Sequence, residues 1–175
     1  MKTLYPLTLL CVLATPGPVA FAQDASAARV GTPTAQIQSR APQVRIAPAA
    51  KDAVMVVNNF MAALSAGNFA AAREFLDPGV VVITNGSMRA SRDEYMAQQS
   101  KADAGYLQKA QRQMLRRDAR AGANFAWVIS EKLFRMQGGD KASALVTSET
   151  MLLAKADAGW KIVHIHWSSR LAPNR

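Results

Sequence analysis

Between Leu107 and Ser168 the chain runs as four long stretches, Leu107 to Arg117, Phe125 to Met136, Lys141 to Lys155 and Trp160 to Ser168. Turn residues separate the four: Ala121-Gly122-Ala123-Asn124, Gly138-Gly139-Asp140 and Asp157-Ala158-Gly159. Long alternating runs separated by turn residues predict an antiparallel meander. A sheet of that size must cover one face, and the covering elements must come from the first half of the chain.

That half reads as helices. Lys51 to Ala66 spaces Val54, Val57, Met61 and Leu64 three to four apart, with Val56 and Phe60 widening the stripe, and Gly67 ends it. Asn68 can cap a second helix, Phe69 to Leu76, which Asp77-Pro78-Gly79 terminates. Val80 to Thr84 is β-branched throughout and is followed by the turn pair Asn85-Gly86. Ser91 and Glu94 form a capping box for a third helix that runs to about Ser100. Helices first and sheet after make the class α+β.

The ends predict export. Lys2, the apolar run from Leu4 to Val19 and the small-residue pattern Ala20-Phe21-Ala22 describe a signal peptide at 1–22. The run is shorter than the roughly 20 apolar residues of a bilayer span, and no later segment reaches that length free of charge, so no membrane span is expected. Leu10 before Cys11 argues against lipidation, and cleavage removes Cys11, the chain's one cysteine, so neither disulfide nor thiol chemistry is expected of the mature protein. Residues 23–50 are alanine-rich, with Pro33, Pro42 and Pro48 and no aromatic, and read as a disordered leader. The domain follows at 51–172, with a tail at 173–175.

The formal net charge is +9, or +8 without Lys2. Basic residues are scattered and form no recognition motif, so nucleic acid is not an expected partner. Arg112, Arg116, Arg117 and Arg120 form the densest group and read as solvated strand ends or intersubunit ion pairs.

This element order, with SETMLLAKADAGWKIVHIHWSSR and DPGVVVITNGSMRASRDEYMAQQ, resembles the SnoaL-like branch of the nuclear transport factor 2 superfamily. It is also similar to the association domain of calcium/calmodulin-dependent protein kinase II. The resemblance implies a cone in which a strongly curved antiparallel sheet wraps around three N-terminal helices, leaving a pocket, and it implies homodimers or higher oligomers made through the sheet. It does not deliver an activity, because this fold hosts isomerases, cyclases, dehydratases and silent assembly domains alike.

Strand parity sorts the side chains. Val163, Ile165 and Trp167 share one face of the last strand; Ile162, His164, His166 and Ser168 share the other. The resemblance turns the Trp167 set inward and places His164 and His166, with Trp127, at an interface. A metal held by His164 and His166 would need further ligands from Asp, Glu or water, so no metal or cofactor is expected. The matching inward sets are Val128, Ser130, Lys132 and Phe134, and Thr147, Glu149, Met151 and Leu153. The expected ligand-binding residues are Val128, Ser130, Lys132, Thr147, Met151, Tyr95 and Trp167. Tyr95 is read as a core or rim residue whose hydroxyl reaches water.

Glu149 is the catalytic candidate, since a carboxylate walled by apolar groups can act as acid or base, whereas a nearby lysine would hold it ionised. Arginines of the kinase association domain's pocket correspond to Lys132, Met151 and Trp167. Thr84-Asn85 and Gln98-Gln99 stand where many SnoaL-like relatives carry an acidic residue and a histidine pair. The leading expectation is an exported homodimer that binds a small, largely apolar molecule in its cone. A second is an isomerase, hydratase or cyclase acting on a carbonyl compound through Glu149, and a third is a module tethered by residues 23–50.

Overall fold

The computed structural model describes residues 41–136 and 144–172; the expected signal peptide at 1–22, residues 23–40 of the expected leader, the expected turn at Gly138-Gly139-Asp140 and the tail at 173–175 lie outside them. Strand β1 (Gln43–Ile46) and a 3-10 turn (Pro48–Ala50) lead into helices α1 (Lys51–Ser65) and α2 (Phe69–Glu74). A hairpin follows, β2 (Leu76–Thr84) and β3 (Ser87–Arg89), then α3 (Arg92–Gln98) and α4 (Ser100–Lys109). The long strands are β4 (Ala110–Ala121), β5 (Phe125–Met136), β6 (Leu145–Ala156) and β7 (Gly159–Leu171).

The strands form one sheet in the order β1-β4-β5-β6-β7-β2-β3. The expected meander is β4 to β7, antiparallel throughout. The sheet as a whole is mixed, however, because β1 joins β4 and β2 joins β7 in parallel. An element arriving from the helical layer cannot reach these strands by a tight turn, so parallel pairing is open to it.

Three further expectations are corrected. Residues 41–50 are not disordered: β1 pairs with β4 from Gln43 opposite Arg116 to Ile46 opposite Ala119, and Ala47 N–H donates to the Ala119 carbonyl at 2.9 Å. All four β1 side chains are exposed, so the open hydrogen-bonding edge of β4, rather than apolar burial, holds this strand. Second, a fourth helix, α4, occupies residues assigned to a break at Ala104-Gly105 and a strand from Leu107. A mid-helix glycine costs only about 1 kcal/mol, and burial of Ala104 and Leu107 offsets it. Third, Val163 is an extra residue between the Leu152–His164 and Leu153–Ile162 pairs, a bulge that resets parity. Ile162 therefore faces the core, fully buried, while Val163 leaves the Trp167 set.

The core lies between the helices and the concave sheet face. Val57, Phe60 and Leu64 of α1 are fully buried, as are Val80, Val128, Met151, Leu153, Ile162 and Ile165 from the sheet. Each contributes about 1.5–3 kcal/mol through burial.

The caps behave as their residues predict. Asn68 Oδ1 accepts from Ala71 N–H at 3.1 Å. Ser91 Oγ accepts from Glu94 N–H at 3.1 Å, while Glu94 Oε2 reaches back to Ala90 N–H at 2.8 Å. Ser91→Ala is expected to cost about 1 kcal/mol; an unchanged chemical-denaturation midpoint would rule out the cap's contribution. Asn85 (φ 46°) and Gly86 (φ 87°) both take left-handed backbone, the pattern that joins β2 to β3 in two residues.

Candidate functional site

A cavity of about 320 Å³ opens between α4 and the inner face of β5, β6 and β7. Met61, Leu107, Phe134, Leu145 and Trp167 give it apolar walls, and Tyr106 stacks on Phe134 with ring centroids 5.5 Å apart. Polar groups enter from two sides: Thr84, Asn85, Thr147, Glu149 and Ser169 from the sheet, Gln99 and Asp103 from the helices. The rim is stitched together, because Asn85 N–H donates to the Trp167 carbonyl at 3.0 Å and Asn85 Oδ1 accepts from Ser169 N–H at 3.1 Å. Thr147 and Ser169 hydroxyls are 3.0 Å apart.

Glu149 lies in the wall, 2% exposed, and two donor groups address it through three hydrogen bonds. Lys132 Nζ reaches Oε1 at 2.9 Å and Oε2 at 3.0 Å, and the Trp167 indole N–H reaches Oε2 at 2.9 Å. The strands dictate this arrangement: Glu149 is opposite Trp167 in β7 and Ser130 in β5, with Lys132 one inward position further along. These bonds take up most of the carboxylate's acceptor capacity and fix its orientation in the wall.

Asp103 is differently placed. It lines the cavity from α4, accepts from the Tyr95 hydroxyl on Oδ2 and from Gln99 Nε2 on Oδ1, both at 3.0 Å, and has no ion pair among the described residues. Burial pushes its pKa above the usual carboxylate range; the Gln99 and Tyr95 hydrogen bonds and the Arg89 charge oppose the rise. Tyr95 is fully buried and its phenol is pushed far up, first by burial and then by the Asp103 charge, so it remains a donor. Its hydroxyl therefore serves Asp103 instead of reaching water.

Of the expected ligand contacts, Thr147 and Trp167 line the cavity alongside Glu149. Val128 and Met151 are fully buried in the core and are not among the lining residues; neither are Ser130, Lys132 and Tyr95, which sit behind the wall, where Lys132 holds Glu149, Tyr95 holds Asp103 and Ser130 accepts from Arg117. The parity was correct, but the hollow occupies only one end of the inward face.

Sequence reasoning missed Asp103 as a wall residue and missed Arg117. Leu115 is an extra residue in β4, a bulge between the Met114 and Arg116 pairings, and it turns Arg117 inward to 7% exposure. Its Nε donates to Ser130 Oγ at 3.0 Å and its Nη1 to Asn58 Oδ1 of α1 at 2.8 Å. Burial lowers the guanidinium pKa and the Glu149 charge opposes this. Arg117 is thus an internal strut and not a solvated strand end. Arg120 does stay outside, 5.7 Å from the centre of the half-buried Trp127 ring.

His164 and His166 point away from the cavity. His164 is half-buried, His166 is exposed, and their ring centroids are 6.5 Å apart. Among the described residues no three His, Cys, Asp or Glu side chains converge as a metal site, and no helix is long and apolar enough to cross a membrane.

A model of the SnoaL-like domain matches residues 53–172. Among solved structures, a candidate ketosteroid isomerase from Shewanella frigidimarina NCIMB 400 has 29% identity and a TM-score of 0.64, covering 72% of this chain and 99% of that one. The calcium/calmodulin-dependent protein kinase II hub of S. rosetta gives 20% and 0.58, covering 71% and 98%. A candidate dehydratase of the nuclear transport factor 2-like family from Streptomyces avermitilis gives 16% and 0.59, covering 70% and 96%. The latter two are alike in fold alone. A search of curated protein sequences gave no significant match.

Proposed function

Because the chain belongs to the SnoaL-like domain family, we propose that it binds a small, uncharged, largely apolar molecule bearing one polar group in the cavity between α4 and β5–β7. The observation that carries this reading is the cavity's composition. Its volume suits a small ligand, most of its lining surface is apolar, and its polar groups Asn85, Gln99, Asp103, Thr147, Glu149 and Ser169 are held in place by hydrogen bonds. Glu149 is neutralised by Lys132, and Asp103 adds a carboxylate, so an anionic ligand would meet repulsion.

Menthone, an uncharged ketone, is a suitable probe. Ala102 lines the cavity from an exposed position, so Ala102→Trp should fill the space while leaving the core intact. Menthone binding, followed by calorimetry, should fall at least about tenfold in A102W, the equivalent of about 1.4 kcal/mol. Equal binding to both proteins would remove this cavity as the site.

A second reading is catalytic, and Asp103 favours it. An oriented carboxylate whose pKa is raised by burial is suited to proton transfer at a carbonyl compound. Its carboxylate would take a proton from the carbon beside the carbonyl. The C–H electron pair would become a carbon–carbon double bond and the carbonyl π pair would move onto oxygen, after which Asp103 would return the proton to carbon. The similarity to a candidate isomerase at 29% identity supports this class of reaction. Glu149, the earlier candidate, would have to break three hydrogen bonds to do the same work.

The proposal extends to the state of the protein. Lys2, the apolar run from Leu4 to Val19 and the Ala20-Phe21-Ala22 pattern support export. The outer sheet face supports pairing with a second copy: Ile129 and Leu152 are 44% and 39% exposed there. Removing residues 1–22 should abolish export; unchanged secretion would exclude the signal.

A further inference from the structure

We infer that His164 and His166 make self-association of this domain acid-labile: the sheet face that pairs two copies near neutral pH releases them when the two imidazoles are protonated. The inference rests on the pairing reading above and adds its regulation.

Register maps the face. One row across the strands reads Asp118, Ile129, Thr150, His166, Ile83, Met88; the next reads Arg120, Trp127, Leu152, His164, Val81. The inward neighbours of these positions, among them Ala119, Val128, Met151, Ile165 and Val82, are buried, which fixes the rows as the outer side. Apart from Thr150 and the two histidines, the middle of both rows is apolar. Within these two rows charge of both signs lies at the β1–β4 end, where Arg45 is opposite Asp118 and Arg120 is 3.8 Å from it, so a two-fold related copy can meet the patch with complementary charges at its margins.

Among the described residues the histidines have no compensating acid. Their neighbours across the strands are Leu152 and Thr150 on β6 and Val81 and Ile83 on β2. The other charged groups described on this side are Arg45 on β1, Arg116 and Arg120 with Asp118 on β4, Glu131 and Arg135 on β5, and Lys161 and Arg170 on β7; Glu131 already faces Arg170 at 3.8 Å. His164 titrates below the ordinary histidine range, through burial first and the His166 charge second, against a backbone hydrogen bond at Val81. Packing a second copy over both rings disfavours their charged forms further. Separated protomers then bind more protons than the pair, so association weakens as pH falls.

Sedimentation of the mature protein should show dimers at about pH 7.5 and monomers at about pH 5.5, the range over which histidine changes charge. The dissociation constant should rise at least about tenfold, with circular dichroism showing the protomer folded at both values. His164→Gln with His166→Gln should remain dimeric at both. Wild-type dimers of equal strength at the two values would overturn the inference and leave pairing intact. A double variant that dissociates with acid as the wild type does would also overturn it, because the switch would lie elsewhere. Monomers at both values would remove the pairing reading as well.

Discussion

Lys132→Met is expected to destabilise the domain by about 3–5 kcal/mol, the range for removing one partner of a buried ion pair. The variant keeps the volume of the side chain but leaves Glu149, 2% exposed, with the Trp167 indole N–H as its remaining close donor. Arg117 makes no hydrogen bond to Glu149 in the native arrangement, and its Nε and Nη1 are held by Ser130 and Asn58. Combining K132M with Glu149→Leu should recover part of the loss, since a well-packed apolar pair is tolerated where half a pair is not. Full recovery is not expected, because the Trp167 N–H would then lack its acceptor. Urea unfolding of both variants measures this. A K132M loss below about 1 kcal/mol would mean that Glu149 does not depend on Lys132.

The second large effect concerns turnover. If the cavity enolises ketones, menthone in deuterium oxide should take up deuterium beside its carbonyl and interconvert with isomenthone. Asp103→Asn should slow this by about 10²–10⁴, the usual contribution of a positioned acid or base. Proton abstraction needs the ionised carboxylate, so the wild-type rate should rise with pH through the elevated Asp103 range and then level off. Tyr95→Phe removes a hydrogen bond that lowers the Asp103 pKa, so the midpoint should move to higher pH. A purely structural tyrosine would change the amplitude and leave the midpoint in place. Equal rates in D103N and wild type would eliminate Asp103 as the base.

The same carboxylate bears on stability. Because its folded-state pKa is raised, the native protein holds the Asp103 proton more tightly than the unfolded chain does. Its contribution is therefore full below the unfolded carboxylate pKa and is lost as pH rises through the folded value. A carboxylate that burial biases toward its protonated form works, once ionised, at some cost to the fold around it.

Much of the fold was legible because its signals are local. Val54, Val57, Met61 and Leu64 mark one face of a helix in any context, and Asn85-Gly86 prescribes a two-residue turn. Turn residues between long runs marked out β4 to β7 in the same way. Parity carried Thr147, Glu149 and Trp167 to the inner face correctly. It failed where the last strand gains a residue, at Val163, because period-two counting assumes an unbroken ladder and the bulge is not flagged by glycine, which put Ile162 on the wrong face. Arg117 was placed outside with the basic group around it, and the bulge at Leu115 that turns it inward carries no glycine either.

The cavity's helical wall was less accessible. Gly105 masked α4, so Asp103 had no helix to sit on, and the contact of Tyr95 with Asp103 joins two helices whose angle no local pattern encodes. The leader was misread at its end for a different reason. Composition predicts whether a segment can bury surface, and Gln43–Ile46 is held by backbone pairing instead.

The central claim is that a small uncharged ligand occupies the hollow bounded by Phe134, Leu145 and Trp167. The most direct measurement is a set of intermolecular nuclear Overhauser effects between bound menthone and the assigned side chains of the mature protein. The account predicts contacts to the Phe134 ring, the Leu145 methyls and the Trp167 indole, with none to Ile129 or Leu152. Contacts confined to Ile129, Leu152 and the histidines, or saturable binding with no contact to the Trp167 indole, would contradict it.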